Sequence, residues 1–382
     1  MLRRALLAVV AVAALLAAPV RASGDDLTPT AAPPRVHAAA YYLVGTDGVV
    51  LARHEARQRR AIASITKLMT AVVTLERAEL GEVVTVPPRA AALDGSTAFL
   101  RAGERLTVAD LLQAMLVRSA NDAAEALALH VGQGSEPRFV AAMNAKASAL
   151  GLTDTHFANP HGLDVPGHVS SARDTTLLVR YALGVPFVRE TLERTSVSLP
   201  GGRELPSTDE LLTSWPPLVG GKTGHTDDAG WSQAAGAEAR GATVYGTVLG
   251  TSGPGARDDA LRTLLQYGLD RYRRVTVVDS GRIYAEAETG YGRPEVELVA
   301  PRAIVRSLLG GTSLVERVVV PESVGVPVRK GAPLGRVEVY AGDHLLASSN
   351  LVAAFDVSEP GVLGKAWWYA RTTAGNLWGL VT

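Results

Sequence analysis

The sequence has no cysteine, which excludes a disulfide framework, a thiol nucleophile and a zinc site built on thiolates. Lysine is scarce: five in 382 residues, at Lys67, Lys146, Lys222, Lys330 and Lys365, against 38 basic residues in all. Neither sign of charge dominates, and a net charge of zero offers no electrostatic footprint for nucleic acid. Nor does the apolar run at residues 5–18 reach the length needed to cross a bilayer. It follows Arg3-Arg4 and precedes Val20-Arg21-Ala22, with small residues at the positions a signal peptidase reads, so an export signal cut after Ala22 (residues 1–22) is expected, and with it a protein working outside the cytoplasm.

What is present suits a folded chain: 47% apolar and 20% charged residues, over a length that suggests two domains. A small, polar, proline-rich lead-in covers residues 23–37. Two strands are expected around Asp47-Gly48, then a helix from Ser64 to about Glu79, with Leu68, Val72 and Leu75 at helical spacing. Thr107 with Asp110 reads as a capping box, Asn121 begins a further helix, and Ser135-Glu136-Pro137 announces another. The stretch 156–173, rich in Pro, Gly, Asn and Asp, reads as a long ordered loop before a helix from Asp174 to about Leu183. Strands follow at 218–223, 231–237 and 243–249, with a helix at 256–272. Strands first, helices in the middle and strands late imply one α/β unit, a sheet flanked by helices plus an all-helical part, over 38–274. From 275 to 358 the pattern is β-branched and alternating, as in a small all-β domain.

Ser64-Ile65-Thr66-Lys67 brings a hydroxyl and an amine to one face of a helix, so the lysine can serve as base for the serine if its pKa is lowered by burial or a second cation. Alone this pattern is weak, because a serine at a helix start is more often a cap. Ser119-Ala120-Asn121 is weaker still, since Ser348-Ser349-Asn350 fits the same pattern in the β-rich part. Lys222-Thr223-Gly224 falls on an expected strand, so two of the five lysines lie in lysine motifs. The three together, in this order and on these elements, are specific.

With these motifs, and with the runs 119–124, 156–164, 170–174 and 222–230, the chain resembles the low-molecular-mass D-alanyl-D-alanine carboxypeptidases related to penicillin-binding protein 5 over about residues 38–360. The resemblance implies a β-lactamase/DD-peptidase-like transpeptidase fold followed by the β-rich domain. It implies Ser64 as nucleophile, Lys67 as base, Ser119 as proton relay and Asn121 as orienting group. Lys222, Thr223 and Gly224 would face the substrate carboxylate, and His225 would complete the oxyanion hole with Ser64. The implied partners are a peptidoglycan stem peptide ending in D-Ala-D-Ala and β-lactams as covalent inhibitors, with no cofactor and no metal. Two departures stand out: Gly250-Thr251-Ser252-Gly253-Pro254 where relatives often carry an arginine, and Pro206-Ser207-Thr208-Asp209-Glu210 in place of an asparagine-containing run.

Other readings remain open. A class A β-lactamase shares the acylation step but deacylates through a loop glutamate, and residues 156–173 contain none. A DD-endopeptidase would use the same site. A zinc peptidase would gather His156, His161, His168 and Asp164, and a silent wall-binding module would not need three intact motifs. Residues 359–382 read as an amphipathic helix on the membrane surface, with an apolar stripe of Leu363, Trp367, Ala370, Ala374, Leu377 and Val381, Trp368 and Trp378 near its edges, and Lys365 and Arg371 as its charges. The alternative for this segment is a helix packed on the β-rich domain.

Overall fold

The computed structural model describes residues 13–19 and 34–378, which fall into two compact units that meet in sequence between Tyr272 and Arg273. In the first unit, β1 (Ala40–Gly45) and β2 (Val50–His54) form the expected hairpin. The chain then passes through a single 3-10 turn, Ala63–Thr66, into α1 (Lys67–Leu75). Helices α2 (Val108–Val117), α3 (Asn121–Val131) and α4 (Glu136–Ala149) pack with α1 as the helical part, and α5 (Ala172–Leu183) lies against the sheet. The sheet is completed by β3 (Leu218–Thr226), β4 (Gly230–Ala239) and β5 (Ala242–Thr251), and α6 (Pro254–Leu269) covers it. Its antiparallel order is β2-β1-β5-β4-β3, so the N-terminal hairpin is joined to the late strands through β5, and β3 is an edge.

Local chemistry explains most of these boundaries. Thr107 and Asp110 form a reciprocal capping box, the Thr107 hydroxyl accepting from Asp110 N–H at 3.1 Å and Asp110 accepting from Thr107 N–H at 2.9 Å. Ser171 accepts from Asp174 N–H and starts α5 two residues earlier than the sequence pattern indicates. Three things differ from expectation. Ser64 lies in a 3-10 turn, with the α-helix beginning only at Lys67. A two-stranded ribbon, Val83–Thr85 with Arg105–Thr107, interrupts the helical stretch. A short hairpin, Ser196–Leu199 with Arg203–Pro206, precedes the late strands. Ile65, Leu68 and Met69 from the turn and α1 share one fully buried core with Leu111 and Met115 of α2 and Ala124 and Leu127 of α3.

Among the described residues, the second unit is built of strands before its last helix, apart from a 3-10 turn at Gly290–Gly292. Strands β6 (Ile283–Thr289), β7 (Val296–Val299), β8 (Leu314–Pro321), β9 (Pro333–Ala341) and β10 (His344–Ala353) belong to one sheet. Its core is β-branched and aliphatic, including Val296, Leu298, Val318, Val337, Val339 and Leu351. Part of the expected export signal, Ala13–Pro19, lies antiparallel along the edge of β8, and the rest of that signal lies outside the described residues. The chain closes with α7 (Val362–Trp378), where Trp368 packs edge-on against Tyr291 and Tyr369 while Leu363 and Trp367 are exposed. Val381, the last member of the stripe, lies outside the described residues.

Candidate active site

The site begins with backbone strain at Ala63, whose φ of +46° turns the chain into the 3-10 turn. In that geometry residues three apart eclipse one another, so Ser64 Oγ sits over Lys67 Nζ at 2.7 Å. Lys67 is fully buried, and its nitrogen has two other partners: Asn121 Oδ1 at 2.7 Å and His161 O at 2.8 Å. Both of these oxygens can only accept. A neutral lysine has two N–H groups for them, and its lone pair then faces the Ser64 hydroxyl, which donates to it. Burial is the larger cause holding the Lys67 pKa well below the ordinary amine value, the Lys222 charge lowers it further, and Asp122 opposes both.

The second lysine comes from the sheet edge. Lys222, on β3 and 1% exposed, donates to Ser119 Oγ at 2.9 Å and to Thr223 O at 3.0 Å. Ser119 is held at φ +65°, which aims its hydroxyl back at Lys222 from the link between α2 and α3. Burial pushes the Lys222 pKa down to about 7, with Asp209 raising it and Arg257 lowering it. Gly224 follows because β3 must pass close to the 3-10 turn: a Cβ there would lie 2.9 Å from Ile62 O and 3.2 Å from Ser64 N. The next residue, His225, is exposed and stacks on Trp231 with ring centroids 4.0 Å apart.

Several contributors escape a reading of motifs. The loop 250–254 lacks an arginine, yet Arg257, in the first turn of α6, is buried beside Asp258 at 2.7 Å and lies 5.9 Å from the Trp231 ring. Its charge acts on both Lys222 and Asp209 from the helix that follows the loop. In the variant run 206–210, the Thr208 hydroxyl meets the Thr223 hydroxyl at 2.8 Å, and buried Asp209 accepts from Gln233 at 2.7 Å. Neither contact has a local sequence signal, because the partners lie on separate elements. The other Ser-x-Asn match, Ser348-Ser349-Asn350, lies on β10 of the second unit.

The long loop carries the His161 carbonyl to Lys67. Asn144 brackets Phe157 with two 2.8 Å bonds, Asn159 Oδ1 accepts from Gly162 N–H at 2.7 Å, and the Thr70 hydroxyl donates to Pro160 O at 2.6 Å. Its histidines are occupied locally. His156 Nδ1 meets Gly167 O, while His161 Nδ1 and His168 Nδ1 accept from Leu163 N–H and Ala158 N–H. The proton of His168 therefore sits on Nε2 and is donated to Thr66 Oγ1 at 2.7 Å. Burial, then neighbouring charge, pushes the pKa of His161 down to about 3 and of His168 to about 4. Asp164, the fourth residue of the zinc reading, accepts from the Thr226 hydroxyl at 2.8 Å. Among the described residues, ligand-type atoms of Glu125, Glu136 and His161 converge to within 4.8 Å. Arg89 is ion-paired with both of these glutamates.

Comparison with known proteins follows the same division. The family described as D-alanyl-D-alanine carboxypeptidase matches residues 28–253, and the penicillin-binding protein 5 C-terminal domain matches 272–359. The chain is 31% identical to the D-alanyl-D-alanine carboxypeptidase DacD of Salmonella typhimurium over 87% of this chain and 90% of that one. It is 31% identical to DacC of Escherichia coli over 87% and 88%. Among solved structures, penicillin-binding protein 5 from Haemophilus influenzae superposes with a TM-score of 0.62 at 28% identity, covering 86% of this chain and all of that one. The Streptomyces K15 DD-transpeptidase gives 0.60 at 30% identity over 63% of this chain.

Proposed function

Because the chain belongs to the D-alanyl-D-alanine carboxypeptidase family and is a serine-type enzyme of that activity, we propose that its reaction runs through an acyl-enzyme on Ser64. Ser64 Oγ attacks the carbonyl of the penultimate D-alanine as its proton passes to the lone pair of Lys67 Nζ. The N–H groups of Ser64 and His225 stabilise the oxyanion. Collapse of the tetrahedral intermediate breaks the peptide bond, and the departing D-alanine amine takes its proton through Ser119, with Lys222 behind it. Lys222, Thr223 and the Arg257 charge hold the terminal carboxylate, Gly224 lets β3 approach Ser64, and Asn121 orients Lys67 and the acyl-side peptide amide. Water then hydrolyses the ester.

The observation that carries this reading is the placement of Lys67 Nζ 2.7 Å from Ser64 Oγ, with two other acceptors taking its N–H groups. A fluorescent penicillin should label the wild-type protein and fail to label Ser64→Ala. Labelling of that variant would overturn the choice of nucleophile.

The same reading extends to location: residues 1–22 direct export and are removed, residues 38–274 form the catalytic domain and 275–358 the β-rich domain, and α7 rests on the outer face of the cytoplasmic membrane. Leu363 at 87% exposure and Trp367 at 64% leave an apolar face bare, and Lys365 and Arg371 suit anionic lipid. No helix among the described residues is long and apolar enough to cross a membrane. Fractionation tests both ends: mature protein beginning at Ser23 should appear with membranes, and a chain ending at Pro360 in the soluble extracytoplasmic fraction with activity intact. A truncated protein that stays on membranes would refute the anchor.

A further inference from the structure

We propose that Phe99 is a specificity-determining residue of the peptidase, packing against a long aliphatic side chain on the residue that precedes the two D-alanines. The proposal rests on the carboxypeptidase reading and adds a contact on the acyl side of the cleft. Segment 94–100 is tied to the start of α3 residue by residue. Asn121 Nδ2 donates to Asp94 O at 2.8 Å, Asn121 N–H donates to Ser96 O at 2.7 Å, and a Cβ on Gly95 would come within 3.1 Å of Asn121 Nδ2. On either side of Phe99, Ala98 and Leu100 are buried and give their N–H groups to the Asp122 carboxylate at 3.0 Å. Ala98 O also accepts from Arg203 at 2.9 Å.

Between these anchors Phe99 has φ of +57° and is 67% exposed. A bulky side chain adopts the left-handed region only when the surroundings impose it, and here bonds from both neighbours do so. Glycine or asparagine would take the same backbone with less strain and show no ring to water. With the substrate carboxylate at Lys222 and the scissile carbonyl at Ser64, as in the proposed reaction, the acyl-side chain is directed past Asn121, which bonds both Lys67 and Asp94 of segment 94–100. An aromatic ring there offers an apolar wall to a methylene chain while the chain's polar end stays in water.

The test compares two N-acylated peptides ending in D-Ala-D-Ala, preceded by glycine in one and by Nε-acetyl-lysine in the other. Wild type should favour the lysine peptide through KM. Phe99→Ala should raise KM for that peptide by about tenfold, the scale of a lost apolar contact, with kcat little changed and the glycine peptide unaffected. Phe99→Leu should restore most of the difference. Phe99→Gly, which suits the backbone, should lose the preference without lowering Tm, separating recognition from folding. Equal effects on both peptides, or none on either, would overturn the role of Phe99 and leave the activity standing. A wild-type protein that cleaves neither peptide would overturn the carboxypeptidase reading and this contact with it.

Discussion

At the scale of single residues, the two lysines are made different by what surrounds them. Burial and then the Lys222 charge hold the Lys67 pKa well below the ordinary amine value, whereas burial pushes Lys222 down to about 7 against the opposing charge of Asp209. A neutral Lys67 would exert no charge on Lys222, which suits a division of the pair into one base and one cation. Because the Lys222 pKa is lowered, its charge is present below about 7 and is lost as pH rises through that value. We therefore expect kcat/KM for a D-Ala-D-Ala peptide to fall on the alkaline side with an apparent pKa near that of Lys222. In Lys222→Arg, which stays charged, this limb should move up by more than about two pH units even if the maximum rate drops. A limb unchanged in the variant would assign the titration to another group. The motifs named the reacting atoms of this pair. They were silent on Arg257, which acts on Lys222 from another element.

The element that decides the geometry is the 3-10 turn at Ala63–Thr66, held between the long loop and β3. Gly162, at φ +92°, packs so closely that a Cβ would lie 2.0 Å from Ala63 O, a backbone atom that cannot swing aside. Gly167 in the same loop has φ +83° with its nearest neighbour at 3.9 Å. Both substitutions to alanine pay for a left-handed backbone, about 1 kcal/mol, and Gly162→Ala must also displace Ala63, so Gly167→Ala should lower Tm by a few degrees and Gly162→Ala by more. Only Gly162→Ala should also displace Ser64, so penicillin labelling should fall at least about tenfold there and stay near wild type in Gly167→Ala. Equal labelling in the two would show that the turn tolerates the shift. The caps at Thr107 and Ser135 were legible because both partners lie within one turn of the chain. The 3-10 turn and the ribbon of Val83–Thr85 with Arg105–Thr107 were not, since their pattern is short and their partners are distant.

For the whole molecule, the buried histidines link stability to acid. His161 and His168 titrate at about 3 and 4 when folded, below the usual imidazole value near 6.5. Between those values the unfolded chain binds more protons, so stability should be fully present above about pH 6.5 and fall as pH drops towards 3. His168→Gln, which can keep a bond to Thr66, should flatten the decline in Tm between about pH 6 and 4. An unchanged slope would assign acid unfolding to the carboxylates. By itself, the sequence determined the chemistry and the outline: three motifs in order, capped helices, and a change from mixed to β-branched pattern near 274. These follow from short-range rules, periodicity, caps and fixed spacing, which act between residues close in the chain. Only the tertiary structure decided which groups meet: the His161 carbonyl on Lys67, Ser119 on Lys222, Arg257 over the Trp231 ring and Asp122 on the N–H groups either side of Phe99. Those contacts join residues from 22 to 103 positions apart wherever a distance is measured, and they arise because burying Lys67 and Lys222 in one core obliges distant polar groups to supply their hydrogen bonds.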